Sequence, residues 1–196
     1  VGLGGAPILA MRMGEGNPKQ AGRVLSNCFL MLLALSGALT ALFLLSKEQL
    51  LLWFGASAGT FGYADTYLTI YTAGTFFALM AAGMNSFLIA QGFSGLGMAT
   101  VVLGAVLNIV LDPLFMFGLD LGVAGAALAT VLSQLLSAVL VVLSLMRSQG
   151  QAYQLFPRQL RLYGAPLKDA MRVGVPAALQ SVMYSASNIV IQAAIN

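Results

Sequence analysis

Residues 98–118 read MATVVLGAVLNIVLDPLFMFG, a stretch in which Asp112 is the one charged residue. Apolar runs of about 18 residues or more are long enough to cross a bilayer as an α-helix, whereas buried helices of soluble proteins have shorter runs. At about 1.5 Å per residue, such a helix rises roughly 30 Å, which is the thickness of the hydrocarbon. The stretch therefore predicts a membrane-spanning helix.

The rest of the sequence has a similar composition. Of its 196 residues, 59% are hydrophobic and 8% are charged, whereas a soluble domain carries about 25% charged residues. The sequence therefore predicts an all-α polytopic membrane protein in a lipid bilayer. Because the chain begins and ends inside apolar runs, we expect it to be a fragment. The other apolar blocks are residues 1–13, 24–46, 63–90, 122–146 and 174–196.

The connections between these blocks differ in charge. Loops on the cytoplasmic side of membrane proteins collect Lys and Arg. All basic residues except Lys47 lie in or beside two connections, residues 14–23 and 147–173. Consecutive membrane-spanning helices cross in opposite directions, so every second loop lies on the same side of the membrane. Both basic connections and the uncharged loop 91–97 are therefore on one face. We expect these three loops to be cytoplasmic in a multi-pass protein of the cell membrane.

The sequence lacks the residues that several kinds of catalytic, metal and nucleotide-binding site require. The sequence contains no histidine, which removes most zinc sites and every catalytic arrangement that needs an imidazole. Its single cysteine, Cys28, has no disulfide partner and is interpreted as a small hydrophobic residue. No glycine-rich phosphate-binding motif is complete. We expect neither a cofactor nor a nucleic-acid partner, and no enzyme activity.

Asp112 is the acidic residue most suited to a function inside the membrane. It has Asn108 four residues before it, and this spacing places both side chains on one face of a helix, with Gly104 one turn further back. Pro113 cannot donate a backbone hydrogen bond, so it frees a carbonyl near Asp112. Polar side chains and irregular backbone at membrane depth usually line a cavity. The alternative is that Asp112 lies near the outer interface, solvated and without a role.

The following helix supplies a matching hydroxyl. Counted from the turn at Asp120, Asp112 is 8 residues before the turn and Thr130 is 10 residues after it, so the two lie at nearly the same depth. A carboxylate withdrawn from water can take up a proton near neutral pH or hold a monovalent cation among oxygens. No Lys or Arg occurs from residue 48 to residue 146. Asp112, Asn108 and Thr130 therefore form a candidate site for H⁺ or Na⁺. The other acids of this interval, Glu48, Asp65 and Asp120, are interpreted as solvated or capping residues.

A second group of polar residues also has the spacing of one helix face, but its pattern is less specific for a function. Gln134 lies one turn after Thr130, and Gln180, Tyr184 and Asn188 follow one another every four residues on the last apolar block. These four side chains are candidates for lining a substrate cavity. Hydrogen bonding between packed helices accounts for them equally well.

Two of these segments, with others along the chain, resemble the multidrug and toxic compound extrusion (MATE) family. Residues 107–115, LNIVLDPLF, and residues 122–130, GVAGAALAT, look like helices five and six of MATE transporters. Residues 7–21 are similar to the end of helix two and the first cytoplasmic loop, residues 55–68 to the entry into helix four, and residues 174–177 to the start of helix seven. The resemblance runs in order over nearly the whole chain.

The resemblance implies a bundle of twelve helices in two lobes. In that family an Asn-x-x-x-Asp pair on helix five and a Thr on helix six join an acid of helix one in a cation-coupling site, and the matching positions here are Asn108, Asp112 and Thr130. The helix-one acid is outside this chain. The domains implied are residues 1–146 as part of the N-terminal lobe, 147–173 as a cytoplasmic linker and 174–196 as the truncated first helix of the C-terminal lobe.

The resemblance also implies the function. MATE transporters export organic, often cationic, small molecules across the cytoplasmic membrane, driven by inward Na⁺ or H⁺, and we expect a monomeric antiporter of this kind. A lipid-linked oligosaccharide flippase of the same superfamily is the alternative, but it would need cationic residues to hold pyrophosphate. The interval 48–146 has none. An intramembrane enzyme would need paired acids or a nucleophile and base at helical spacing, and neither occurs.

Overall fold

The computed structural model describes the backbone of residues 1–53, 59–147, 155 and 160–195. Within these ranges the chain is helical and contains no β-strand. One π-helical turn, Leu114–Gly118, continues the fourth helix. The helices are α1 (Gly2–Gly14), α2 (Pro18–Trp53), α3 (Phe61–Ala90), α4 (Ser94–Pro113), α5 (Gly122–Arg147) and α6 (Gly164–Ile195).

Four helical segments of the described chain are long and apolar enough to cross a membrane: Pro18–Leu51, Phe61–Ala90, Ser94–Gly118 and Gly122–Arg147. They confirm the predicted all-α polytopic class. The block 174–196, which was also expected to span, is not one of the four. It belongs to α6, whose first turns carry charged residues and whose later turns include several polar ones.

Two helices extend beyond the predicted apolar blocks. The helix α2 begins at Pro18 and ends at Trp53 instead of covering residues 24–46, and α6 begins at Gly164 instead of residue 174. Proline is tolerated in the first turn of a helix, because the backbone N–H groups of that turn have no acceptor within the helix and proline therefore loses no hydrogen bond there. Helices can continue beyond the hydrocarbon with polar residues, and a prediction from apolar blocks does not include those parts. Residues 54–58, which follow α2, lie outside the described residues.

A cluster of fully buried apolar side chains joins α1, α2 and α3. Phe87 and Met84 of α3 are fully buried against Leu25 and Cys28 of α2, and Leu9 of α1 is part of the same cluster. Burial of Cys28 among these apolar side chains agrees with its interpretation as a small hydrophobic residue. Between membrane helices such packing stabilises chiefly through van der Waals contact, because lipid is as apolar as the side chains.

The start of α6 is attached to α1 and α2. The Asn27 amide on α2 is fully buried, and its Nδ2 donates to the Tyr163 carbonyl at 2.6 Å while its Oδ1 accepts from the Tyr163 N–H at 2.8 Å. The guanidinium carbon of Arg23 lies 4.9 Å from the centroid of the Tyr163 ring. Arg12 of α1 is 3.5 Å from the Asp169 carboxylate. These contacts fix where α6 leaves the connection 147–173.

Asp65 differs from its interpretation as a solvated or capping residue. The Lys47 ammonium lies 2.8 Å from Asp65 Oδ1 and donates to Asp65 Oδ2 at 3.1 Å and to Thr69 Oγ1 at 2.9 Å. Lys47 lies just before the interval that lacks basic residues, and the extension of α2 brings it beside α3. The pair links the ends of α2 and α3 that lie away from the predicted cytoplasmic loops.

The contact between α1 and α6 makes a test of the helix packing. A Cβ added to Gly4 would overlap the Gly174 Cα and lie 2.7 Å from the Ala170 carbonyl oxygen, and neither backbone atom can rotate away. We expect Gly4→Ala to lower the free energy of unfolding of the intact protein by about 1–3 kcal/mol. Thermal unfolding in detergent, followed by size-exclusion fluorescence, measures the change.

The matched control is Gly174→Ala in the same contact. Its added Cβ would lie 3.5 Å from the Gly4 Cα, an ordinary van der Waals separation. This variant should unfold close to the wild-type temperature. Equal effects of the two substitutions would contradict the described packing of α1 on α6.

Candidate ion-coupling site

Asn108 and Asp112 lie on one face of α4, as their spacing predicts. The Asn108 Nδ2 donates to Asp112 Oδ1 at 3.2 Å, and both side chains are half-buried. This hydrogen bond leaves the second carboxylate oxygen without a partner among the described residues. The amide therefore orients the carboxylate without neutralising its charge.

The backbone after Asp112 is irregular. Pro113 keeps helical dihedral angles and has no N–H, and the chain then widens into the π-helical turn Leu114–Gly118, where the Leu119 N–H donates to the Leu114 carbonyl at 3.0 Å. The sequence predicted a disruption before Pro113, whereas the widened turn lies after it. Single π-helical turns inside helices occur often at functional sites.

Thr130 of α5 joins this pair. The Asn108 Nδ2 lies 3.4 Å from Thr130 Oγ1, within hydrogen-bonding distance, and the Thr130 hydroxyl donates to the Ala126 carbonyl at 3.0 Å. Since the hydroxyl hydrogen is used by Ala126, the oxygen lone pairs of Thr130 are directed to the groove between α4 and α5. The three predicted residues are thus brought together, at the common depth that counting from the turn predicts.

Small residues allow α4 and α5 to approach each other. A Cβ added to Gly125 would lie 2.7 Å from the Phe115 carbonyl. At Gly104 an added Cβ would overlap Ser137 Oγ, which donates to the Thr100 carbonyl at 3.1 Å. Sequence reasoning named Gly104 but missed Gly125.

A cavity of about 390 Å³ lies between α3, α4 and α5 beside these residues. Asn108, Thr130 and Gln134 are among the residues that line it. That Gln134 lines a cavity for substrate stays a prediction. Hydroxyl groups of Ser133 and Ser137 add further oxygens. Asp112 adjoins the cavity through its hydrogen bond to Asn108.

The three polar residues of α6 are elsewhere. Gln180, Tyr184 and Asn188 are exposed in the described chain and are not among the residues that line this cavity. Their role in lining a substrate cavity stays a prediction.

The electrostatic surroundings of Asp112 are neutral. In the part of the chain that the structure describes, the ion pairs involve Arg12 or Lys47, and neither contacts Asp112. The same part contains no group of three acidic, cysteine or histidine side chains that could hold a metal ion together. One carboxylate with an amide and a hydroxyl oxygen is a donor set suited to a proton or a monovalent cation.

Comparison with protein families identifies the chain. The family model for MatE matches residues 1–114. The chain belongs to the MATE family. A similar relative is the multidrug export protein MepA of Staphylococcus haemolyticus (strain JCSC1435), 25% identical over 190 residues, which are 97% of this chain and 42% of the relative. MepA of Staphylococcus saprophyticus is 27% identical over 146 residues, 74% of this chain and 32% of that protein.

Solved structures of MATE transporters have the same arrangement of helices. A crystal structure of MATE in the bent conformation has a TM-score of 0.89 and 29% identity, over 96% of this chain and 42% of that one. An inward-facing MATE transporter of the MOP superfamily has a TM-score of 0.84 and 30% identity, over 91% of this chain and 40% of that one. This MATE chain therefore spans less than half the length of these relatives.

Gly104 and Ser137 make a test of the α4–α5 contact. We expect Gly104→Ala to lower the unfolding temperature, because its Cβ displaces the Ser137 hydroxyl from the Thr100 carbonyl, although alanine favours the helix by about 1 kcal/mol. Removing that hydroxyl in the double variant with Ser137→Ala should restore most of the loss. Thermal unfolding of the two single variants and the double variant gives the coupling free energy, and strictly additive effects would contradict the described contact.

Proposed function

We propose that the intact protein is a secondary antiporter that exports organic, often cationic, small molecules across the cytoplasmic membrane in exchange for inward Na⁺ or H⁺. The observation that carries this proposal is the half-buried Asp112 carboxylate, held by Asn108 beside Thr130 with no basic partner in the described chain. Membership of the MATE family and the multidrug export activity named for its relatives support it.

Each residue of the site has a distinct task in this proposal. Asp112 supplies the negative charge that a proton or Na⁺ neutralises. Asn108 orients the carboxylate through its N–H groups, and the oxygen atoms of Asn108 and Thr130 complete the coordination of a cation. The cavity beside them supplies water that hydrates the arriving ion. No other cofactor and no catalytic step is required.

Exchange requires two states of the protein that the ligands favour unequally. A bound cation removes the cost of an unpaired carboxylate in a low-dielectric site, so it favours the arrangement in which the site is closed to water. The exported compound favours the opposite arrangement. A ligand shifts the equilibrium between two states only by its difference in affinity for them. Asp112 is therefore the group through which the ion gradient acts on the direction of transport.

The division of the chain fits an exchange between two lobes. We assign residues 1–146 to an N-terminal lobe, residues 147–173 to a cytoplasmic linker and residues 174–196 to the first helix of a second lobe, in a monomeric transporter. Similar TM-scores to inward-facing and outward-facing transporters, 0.84 and 0.86, support an N-terminal lobe that keeps its internal arrangement. Gln180, Tyr184 and Asn188 would then face substrate from the second lobe.

A flippase for lipid-linked oligosaccharides has less support. Such a protein would hold pyrophosphate with Lys or Arg, and the described residues that line the cavity between α3, α4 and α5 include neither. The polar groups that line the cavity are amides and hydroxyls. These groups suit small cations and water better than a polyanion.

Replacing Asp112 by Asn tests the proposed coupling role. The substitution keeps the size of the side chain and removes its charge, so it leaves nothing for a proton or Na⁺ to neutralise. We expect dye efflux from energised cells that express the intact protein to fall at least about tenfold, with the remaining efflux insensitive to imposed H⁺ and Na⁺ gradients. The size of this effect corresponds to about 1.4 kcal/mol or more.

Asp120→Asn is the matched control. Asp120 is exposed in the turn between the helices and has a φ of 54°, a backbone conformation that Asn adopts nearly as readily as Asp. This variant removes an equal charge outside the site and should keep gradient-driven efflux. Persistence of gradient-driven efflux in Asp112→Asn would show that the coupling site lies elsewhere.

A further inference from the structure

The start of α6 meets α1 on the side of the membrane that is predicted to be cytoplasmic. This helix begins within the basic connection 147–173, and Arg12 lies at the end of α1, beside the basic connection 14–23. From Gly164 to Ile195, α6 is a single helix. Under the proposed function α1 belongs to the first lobe and the later part of α6 to the second. Contacts between α1 and α6 therefore join the two lobes at their cytoplasmic ends.

The first of these contacts is between two backbones. A Cβ added to Gly4 would overlap the Gly174 Cα, so the helices touch without an intervening side chain. Ala170, one turn before Gly174, is buried, and its carbonyl oxygen also faces Gly4. Small residues at a helix contact permit such a close approach. Because no long side chains interlock here, the two helices can separate without a change of rotamer.

The second contact is an ion pair in which the cation has another partner. Arg12 lies 2.8 Å from the Glu15 carboxylate at the end of its own helix and 3.5 Å from the Asp169 carboxylate of α6. When Asp169 moves away, Arg12 therefore keeps Glu15. The Asp169 side chain is 48% exposed, so water can solvate it after the separation. Opening this contact avoids the main cost of breaking an ion pair inside a protein, which is a buried charge without a partner.

A contact that is harder to break lies at the base of α6. Asn27 of α2 is fully buried and pairs with both the N–H and the carbonyl of Tyr163, one residue before α6 begins. Breaking this pair would leave buried polar groups unsatisfied, which is costly. Gly174 is eleven residues after Tyr163, roughly 16 Å along the helix. A rotation of α6 about Tyr163 would thus move Gly174 away from α1 while the Asn27 pair remains.

We propose that Gly4, Arg12, Asp169 and Gly174 form a cytoplasmic latch, which closes the cytoplasmic side of the cleft between the two lobes and opens in each transport cycle. This inference rests on the proposed function, since a latch between lobes needs lobes that move. Neither charged residue of the latch contacts Asp112, Asn108 or Thr130. Both are positioning residues that stabilise one of two states, so loss of their ion pair shifts the population to the state open to the cytoplasm.

The distance between α1 and α6 in the intact protein tests the latch. Nitroxide spin labels would be attached to cysteines that replace Met11 and Met171, two exposed residues next to the latch, and double electron–electron resonance would measure their separation. Cys28 is buried, and any other cysteine of the intact protein would be replaced. We expect a shorter and a longer distance in the wild type. In Asp169→Asn the ratio of the longer to the shorter population should rise about two- to fivefold, the range expected for a half-exposed ion pair.

Glu15→Gln is the matched control. Glu15 is 46% exposed, close to the 48% of Asp169, and it also pairs with Arg12, but it lies on the α1 side of the interface. Its removal leaves Asp169 as the carboxylate beside Arg12, so the longer population should not rise. Identical distances in the wild type and Asp169→Asn would overturn the latch and place the movement further along α6, where Pro176 lacks the N–H of a helical hydrogen bond. An equal rise in both variants would also overturn it.

A double-variant comparison guards against a general loss of packing. Arg12→Gln should raise the longer population as Asp169→Asn does. The double variant Arg12→Gln/Asp169→Asn should add little to either single variant, because all three proteins lack the same ion pair. Fully additive effects would contradict a direct contact between the two side chains.

The latch and the coupling role of Asp112 fail in different measurements. Asp112→Asn leaves the latch residues unchanged, and its gradient-driven efflux reports on coupling alone. Unchanged distances in Asp169→Asn, with gradient-driven efflux lost in Asp112→Asn, would overturn the latch and retain the proposed function. A rise of the longer population, with gradient-driven efflux that persists in Asp112→Asn, would retain the latch and place the coupling site elsewhere.

Discussion

A carboxylate within a membrane is costly unless another charge, a proton or an ion compensates it. Asp112 meets this constraint with an amide and a hydroxyl instead of a basic side chain, because Asn108 donates to it and Thr130 lies next to Asn108. In the proposed function the compensating charge is an ion or a proton that comes from outside the protein and can leave again. The packing of α4 on α5, with Gly104 and Gly125 at the close contacts, holds these three side chains together.

The contrast with Asp65 shows how much depends on that constraint. Lys47 lies 2.8 Å from Asp65, so the charge of this carboxylate is compensated within the protein and the pair links α2 to α3. At the other end of the bundle, Asp169 lies 3.5 Å from Arg12, so its charge is partly compensated within the protein. The described chain thus contains acids that form ion pairs and, in Asp112, an acid that we propose takes part in ion exchange.

Interactions within one helix could be predicted from the sequence, and contacts between distant helices largely could not. The Asn108–Asp112 pair follows from helical spacing, and the depth of Thr130 follows from counting across a short turn. The extension of α6 back to Gly164 was missed, because apolar composition marks only the part of a helix that lies in lipid. The Lys47–Asp65 pair and the attachment of Tyr163 to Asn27 depend on how separate helices pack, for which the sequence has no local signal.

Exchange at Asp112 is tested most directly by ion release from the purified intact protein. A transported dye would be added in weakly buffered solution, with H⁺ release followed by a pH indicator and Na⁺ release by a radioactive tracer. We expect dye binding to release H⁺ or Na⁺ from the wild type and neither from Asp112→Asn, and the ion released identifies the coupling ion. Equal release from both proteins, or no release from either, would contradict the assignment of ion exchange to Asp112.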